Sequence, residues 1–462
     1  SRSAGMSDAD LDILVIGAGA CGLVAAIVAH DAGASVAIVE KLDRPGGNSA
    51  LSTGSVPAAG SRFQRAAGIA DDPERMVRDL MAIAGETDDP ALVRRLAQVS
   101  AETVEWLIDT LGARLQLVTA YRHIGHSVPR LHAPVSRRGQ DLVDDLLAAV
   151  EQRGIPLAVG NAVQELRIAD GGVHGAVVDT GQGRETIAAR KTILAVNGFA
   201  GNPALVRRFC PEIAGATYYG ALGSTGEAIL WGEQLGAALG NMAAYQGYAA
   251  VAYPHGSLLS WTTIEKGGVL VGADGQRFGN EALGYSGYAR IVLNHDAGAF
   301  ALFDQRIFDI ASQEDEFREL WQMSGLKRVA TTGEAAAAFT LDAGALTQTI
   351  DTYNAAAAGF VQDAFGRHDF GLAPLQPPFY IARTVPGLFH TQGGLRVDAD
   401  ARVLRPDGTP VANLFAGGGA ACGISGRAGA LGYASGNGLL SAIALGRLAG
   451  LAAAREIAGE AV

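Results

Sequence analysis

This sequence predicts an α/β fold, with helices packed on a mostly parallel sheet, on three observations. LDILVI at residues 11–16 is a short apolar run with no polar face, as expected of a strand covered on both sides. A glycine turn and an alanine-rich segment, CGLVAAIVAHDAG, come next. A second apolar run, SVAIVE, closes the series and makes a β-α-β unit. The 462 residues exceed one simple core and imply two domains or three.

The later elements follow in order. Residues 90–112 and 140–153 space their apolar side chains as amphipathic helices do. A β-rich stretch with turns occupies about 155–196. Residues 234–264 contain no Asp, Glu, Lys or Arg, long enough to suggest a membrane span. Gly, Gln, Asn, Pro254 and His255 interrupt that stretch, so it is expected to be buried inside the protein, with no span. Residues 300–360 read as helical, ending in NAAAAGF and a proline-rich linker, LAPLQPPF. Near the end, the strand NLFAGGG leads through glycine turns into the helix GLLSAIALGRLAGLAAA. No internal repeat or heptad pattern is present.

Composition narrows the function. A net charge of -11 argues against a nucleic-acid surface or an anionic membrane partner. Cys21, Cys210 and Cys422 have neither disulfide nor metal spacing, which points to the reducing cytoplasm and to no metal site. SRSAG before Met6 reads as an expression scar.

GAGACG, Gly17 to Gly22, is a complete G-x-G-x-x-G between a strand and a helix. Gly17 permits the tight turn, Gly19 lets the backbone approach a pyrophosphate, and Gly22 allows close helix–sheet packing. The helix start supplies N–H groups to the phosphates. Glu40 lies 18 residues beyond Gly22, where a carboxylate accepts from ribose hydroxyls. FAD is favoured over NAD by a second glycine-rich loop, RPGGNSALSTG (44–54), and by NLFAGGGAACG (413–423) near the other end.

These motifs resemble the flavoproteins of the fumarate reductase and 3-ketosteroid dehydrogenase superfamily. GGNSALSTG, TILAVNGFAGN, GSTGEAI, GQRFGNE, HTQGGLRVD and the closing GLLSAIALGRLAG carry the likeness nearly end to end. The resemblance implies a Rossmann-like FAD-binding domain from both ends of the chain, 7–247 and 387–462, around an inserted α+β capping domain, 248–386. It implies FAD contacts at Gly17, Gly19, Ala20, Cys21, Gly22, Glu40 and Lys41, then at Gly46, Gly47, Asn48, Ser49, Ser52 and Gly54. Further contacts are implied at Ala162, Val163, Asn197, Gly198, Gly394, Gly418, Gly436, Asn437, Leu439 and Leu440. GGNSALSTG lacks the histidine that links FAD covalently in succinate dehydrogenases, so non-covalent FAD is expected. No C-x-x-C-H haem attachment is present.

The same resemblance orders the catalytic candidates. Related fumarate reductases place a proton-donating arginine four residues after an Asn-Glu pair, whereas this chain has Tyr285 after Asn280-Glu281. Their carboxylate-binding His-Pro corresponds to Tyr253-Pro254 here, while His390 is retained and Arg427 is the candidate clamp. Ketosteroid dehydrogenases use a tyrosine acid/base at the Tyr285 position and a second tyrosine on the ketone oxygen, for which ALGYASGNGLL offers Tyr433. Tyr433 with Ser435 is most like the Δ4-(5α) branch, although Ser435 as a helix N-cap is the plainer reading.

A buried phenol acts as base only if neighbouring donors or charge depress its pKa. Tyr288 is expected to pack, His126 and His132 to be structural, and Tyr121 is a candidate support for Tyr285. The leading expectation is an FAD-dependent α,β-dehydrogenase of a cyclic ketone, either a 3-ketosteroid or a smaller oxo-acid such as an oxocyclohexanecarboxylate. Electrons would pass to an external acceptor: oxygen, a quinone or a carrier. The alternatives are fumarate-like reduction of an unsaturated acid and a non-catalytic flavin-binding interaction protein.

Overall fold

The computed structural model describes residues 11–120, 123–296 and 298–460. Met6, the segment before it and Tyr121 lie outside the described residues. The chain divides into two compact units. The first holds the chain up to Cys210, Gly220–Tyr245 and everything from His390 onward; the second holds Pro211–Tyr219 and Gln246–Phe389.

The first unit is built on an eight-stranded sheet. Its parallel part starts at Leu157–Ala158 and runs through β2 (Val36–Val39), β1 (Leu11–Ile16) and Arg184–Leu194 to Pro410–Ala416. Leu14 faces Ala37 on one side and Thr192 on the other. The strand Arg184–Leu194 serves two partners. Its first half pairs antiparallel with Gly172–Asp179, and its second half joins the parallel sheet beside β1.

The helix α1 (Ala20–Asp31) is apolar almost all round because it is covered on every side, with Ala20 to Ala29 buried. It packs against the C-terminal helix Asn437–Glu460, which has glycine where the two helices meet. A Cβ at Gly446 would stand 2.5 Å from the carbonyl oxygen of Cys21, and one at Gly450 would stand 2.5 Å from that of Ala25. Among the described residues, Asn437–Glu460 is the one helix long and apolar enough to cross a membrane, and 83% of its apolar window is buried in this core.

In the second unit the strands run Val269–Val271, Ala299–Asp304, then Phe379–Thr391 as far as Phe389, and Ala243–Ala252 from Gln246 onward. The uncharged stretch at 234–264 therefore contributes a buried strand here. Two details differ from expectation. Residues 300–360 begin with the strand Ala299–Asp304, paired with Phe379–Thr391, before the helices start, and Lys327–Val329 is a further strand. Pro211–Tyr219 belongs to the second unit because Thr217 and Tyr218 pair with Gly387 and Leu388. A two-residue strand leaves no periodic signal.

Candidate functional site

The first unit forms a cleft at the end of β1, lined by Gly17, Gly19, Glu40, Val163, Asn197 and Glu227 among others. Its glycines differ in what requires them. Gly17 has φ +109°, and a Cβ there would meet the Ala195 carbonyl oxygen at 2.0 Å. A Cβ on Gly22 would stand 1.8 Å from the Gly17 oxygen. Gly19 is different, because the nearest atom to its Cβ would be 3.5 Å away. No protein atom crowds Gly19, so what the missing side chain leaves there is open room beside the first turn of α1.

That first turn offers donors. Ser49 Oγ takes the Ala20 N–H at 3.2 Å, while the Cys21 and Gly22 N–H groups have no partner among the described residues. The second glycine loop runs alongside: Gly46 bridges Gly19, and Gly46 and Gly47 both have positive φ. Within this loop Asn48 accepts the Ala221 N–H at 2.9 Å, and Ser52 Oγ bonds the Ser49 carbonyl at 2.7 Å and accepts the Gly54 N–H. Ala162 and Val163 begin the strand that edges the cleft. Asn197, at φ +62°, lies over Gly47, and Gly198 packs on Thr391.

Glu40 is buried at the cleft wall, where burial pushes its carboxyl up and the Lys41 and Leu42 N–H groups oppose that. Lys41, expected to touch the cofactor, bonds Thr225 at 2.7 Å and Glu227 at 2.6 Å. Glu227 Oε2 is buried with no hydrogen-bond partner. Glu227 and Trp231 line the cleft and were not singled out in the sequence. GSTGEAI marked the region, but only the folded chain brings it beside Glu40.

Farther along, Gly394 pairs with Gly240, and Gly418 starts a short turn of 3-10 helix. Gly436 has φ +85° and no room for a Cβ against Pro57. Asn437 is buried, with Nδ2 donating to Ser425 Oγ at 3.1 Å and Oδ1 unpartnered. Leu439 and Leu440 belong to the hydrophobic core of the C-terminal helix. Free helix N–H groups, an open glycine, and unpartnered Glu227 and Asn437 oxygens together fit an anionic dinucleotide with hydroxyl and amine donors.

The same unit assembles a polar corner. Burial pushes the His390 imidazole down to about 4, so it is neutral, and its Nδ1 lies 2.6 Å from the Gln392 side-chain amide. The Tyr433 ring meets His390 edge-on, with centroids 5.9 Å apart. Ser435 is two residues ahead of the helix and fixes the loop through its backbone: its N–H donates to Ile124 O and its carbonyl accepts from His126 Nε2 at 2.8 Å. His126 touches Arg130, which the Asp71 and Asp79 carboxylates hold. His132 bonds Ser61 at 2.9 Å.

Arg427, the candidate carboxylate clamp, is engaged by two carboxylates. Its exposed guanidinium bonds Asp88 at 2.7 Å and Glu86 at 3.0 Å, which satisfies the charge.

The second unit holds Tyr285 in a different manner. Glu281 is buried and receives Arg277 in two parallel bonds, 3.0 and 2.7 Å, with Arg367 close by at 3.8 Å. Asn280 caps the turn that follows, and the short helix Gly284–Gly287 carries Tyr285. The half-buried Tyr285 ring stacks on Tyr248 with centroids 5.3 Å apart. Tyr248 also meets Trp261 and Phe389, and Phe389 stacks on Tyr219, so Tyr285 edges an aromatic cluster.

Burial pushes the Tyr285 phenol up, with Gln246 partly opposing that. The depression required of a base is absent from the protein's own surroundings, and Tyr285 keeps its proton at neutral pH. Tyr288 is fully buried, stacks on Phe278 and leaves its hydroxyl unpartnered. Tyr253 is exposed beneath the Arg383 guanidinium.

Comparison with known proteins gives the following. The model of a family described as FAD binding domain matches residues 12–439. A probable fumarate reductase, Ifc3, from Shewanella frigidimarina (strain NCIMB 400) is 31% identical over 453 residues, covering 96% of this chain and 75% of that protein. The open conformation of a flavocytochrome c3 fumarate reductase superposes with a TM-score of 0.85 at 30% identity, over 96% of this chain and 78% of that one. The 3-ketosteroid-Δ4-(5α)-dehydrogenase of Rhodococcus jostii RHA1, in complex with 4-androstene-3,17-dione, superposes with a TM-score of 0.76 at 27% identity, over 98% and 99%.

Proposed function

The chain belongs to the FAD-binding domain family and is an FAD-dependent oxidoreductase, and on that premise we propose that it desaturates a cyclic ketone at the carbons α and β to the carbonyl. The observation that carries this reading is Tyr285, a phenol at the edge of an aromatic cluster where related reductases keep an arginine. Aromatic neighbours suit a neutral ring, and Arg427, the cation expected to clamp a carboxylate, is committed to Glu86 and Asp88.

When bound, non-covalent FAD supplies the two-electron acceptor for the hydride that leaves the β-carbon. In its phenolate form, which gains population as pH rises, Tyr285 takes the α-proton, and the electron pair left behind forms the new C=C bond. The Tyr433 hydroxyl holds the carbonyl oxygen while negative charge develops on it. Neutral His390 braces the Tyr433 ring edge-on. Turnover would need an external acceptor, such as oxygen, a quinone or a carrier, for the electrons that FAD would take up. A 3-ketosteroid fits the aromatic surroundings better than an oxo-acid does, since the arginine expected to meet a carboxylate is occupied.

A second reading, reduction of an α,β-unsaturated carbonyl compound, is supported by the protonated state of Tyr285, which makes it a ready donor at neutral pH. The two directions differ in their dependence on pH. Desaturation accelerates as pH rises toward the raised Tyr285 pKa, whereas reduction holds its rate across neutral pH.

Anaerobic bleaching of the flavin by an added cyclic ketone tests the proposal. Tyr285→Phe is expected to retain FAD and lose on the order of 10²–10⁴ in bleaching rate. A Tyr285→Phe protein that bleaches as fast as wild type removes Tyr285 from the mechanism.

A further inference from the structure

Within the first unit, the loop that carries Tyr433 is held by three consecutive residues, Ile124 to His126. The Ser435 N–H donates to the Ile124 carbonyl at 3.0 Å, and the Ser435 carbonyl accepts from His126 Nε2 at 2.8 Å. Between these bonds Gly125, at φ +85°, lies on Ala434, where a Cβ would stand 2.4 Å from the alanine methyl. The Ala434 carbonyl in turn accepts the Asn437 N–H at 3.2 Å, at the start of the C-terminal helix. Ala434 and Ser435 are thus pinned, and Tyr433 is the next residue along.

The imidazole bond needs a proton on the right nitrogen, because a neutral histidine carries only one. Arg130 decides which, since a guanidinium has hydrogens to give and no lone pair to offer. Its Nη1 donates to Asp79 at 2.6 Å and has a second hydrogen for His126 Nδ1, 3.3 Å away. Asp71 holds the rest of the fork, at 2.8 Å from Nε and 3.0 Å from Nη2. Nδ1 is therefore the bare acceptor, and Nε2 is the N–H that reaches the Ser435 carbonyl. Burial pushes the His126 imidazole down, which keeps it neutral beside these charges.

We propose that His126 is a positioning residue for Tyr433: Arg130 fixes it as the Nε2–H tautomer, and its hydrogen bond to the Ser435 carbonyl sets where the Tyr433 hydroxyl stands. The inference rests on the role given to Tyr433 above, and it adds what keeps that residue in place. A hydroxyl that meets developing negative charge stabilises it best when no reorganisation is needed as the charge appears. Asp71, Asp79 and Arg130 thus act on Tyr433 through one imidazole.

The test reads the tautomer, the tyrosine and the rate in turn. In the FAD-loaded protein with isotopically labelled histidine nitrogens, His126 is expected to show a protonated Nε2 and a bare Nδ1 at neutral pH. A proton on Nδ1 overturns the proposal, and this arm uses the unsubstituted side chain, so it stands whether or not a variant folds. With 3-fluorotyrosine at position 433, His126→Leu is expected to shift or broaden the fluorine resonance. His126→Gln, whose amide N–H can reach the same carbonyl, is expected to restore it. An unchanged resonance in His126→Leu overturns the proposal, as does a His126→Gln resonance that matches His126→Leu.

The kinetic arm follows anaerobic flavin bleaching with a cyclic ketone as probe. His126→Leu is expected to lower the limiting rate by about tenfold or more with little change in ketone affinity, and to cause no further loss in the Tyr433→Phe background. An equal loss in both backgrounds overturns the proposal. If the fluorine resonance behaves as expected but no ketone bleaches the flavin, the proposed function fails and the placement of Tyr433 by His126 stands.

Discussion

The two units prepare their functional groups by opposite means. In the first, side chains are removed: Gly17 and Gly22 are bare because the fold has no room, and Gly19 is bare with room to spare. In the second, side chains are added: Arg277, Glu281, Asp363 and Arg367 are buried together so that one short helix holds Tyr285 still. A cradle for a large anionic ligand is made by backbone, whose N–H groups need access, while the proposed proton carrier is a side chain and needs walls.

The largest expected effect breaks the second scheme. Glu281→Ala strands Arg277 and Arg367 as buried charges with only Asp363 left, which costs about 3–5 kcal/mol. Chemical denaturation is expected to show that loss, and a variant as stable as wild type would mean that the pair does not frame Tyr285.

Next comes the first scheme. Gly22→Ala places a methyl group 1.8 Å from a backbone oxygen and is expected to destabilise the first unit by about 1–3 kcal/mol. Gly19→Ala sharpens the contrast, since it should fold and melt like wild type while binding FAD more weakly. Equilibrium dialysis of FAD beside thermal melts separates the two glycines. Equal melting losses in both would show that Gly19 is a packing glycine after all.

The smallest effect concerns His390, whose imidazole falls from 6.5 to about 4 on burial. The unfolded chain then binds the proton more tightly, so stability present above about pH 6.5 is lost as pH falls toward about 4. Lowering the pH from about 7 to about 5 should cost about 1–2 kcal/mol through this group. His132, also pushed to about 4, adds to the same slope. His390→Gln is expected to flatten part of that slope, and an unchanged slope would mean that His390 is not buried neutral.

Much of the cradle was legible because its demands are local. A turn, a bare approach and a helix start fall within Gly17 to Gly22, and no distant residue is needed to infer them. Tyr285 was legible only by its offset from Glu281. Its ring partner, Tyr248, comes from a strand whose pairing is set by tertiary structure and leaves no pattern in the sequence. Arg427 shows the converse: proximity to the last glycines suggested a clamp, but Glu86 and Asp88, far back in the chain, had already claimed its charge. The strand Ala299–Asp304 was hidden because its apolar run leads straight into a helix.

The seam between α1 and the helix Asn437–Glu460 joins two segments that lie far apart in the sequence. Gly446 and Gly450 let the last helix lie directly on the backbone of the helix that follows the first glycine turn. The glycine turn and the helix that backs it therefore meet only through the folded core. A chain cut before residue 437 is expected to keep the glycines of the first turn but to lose the helix that packs behind them.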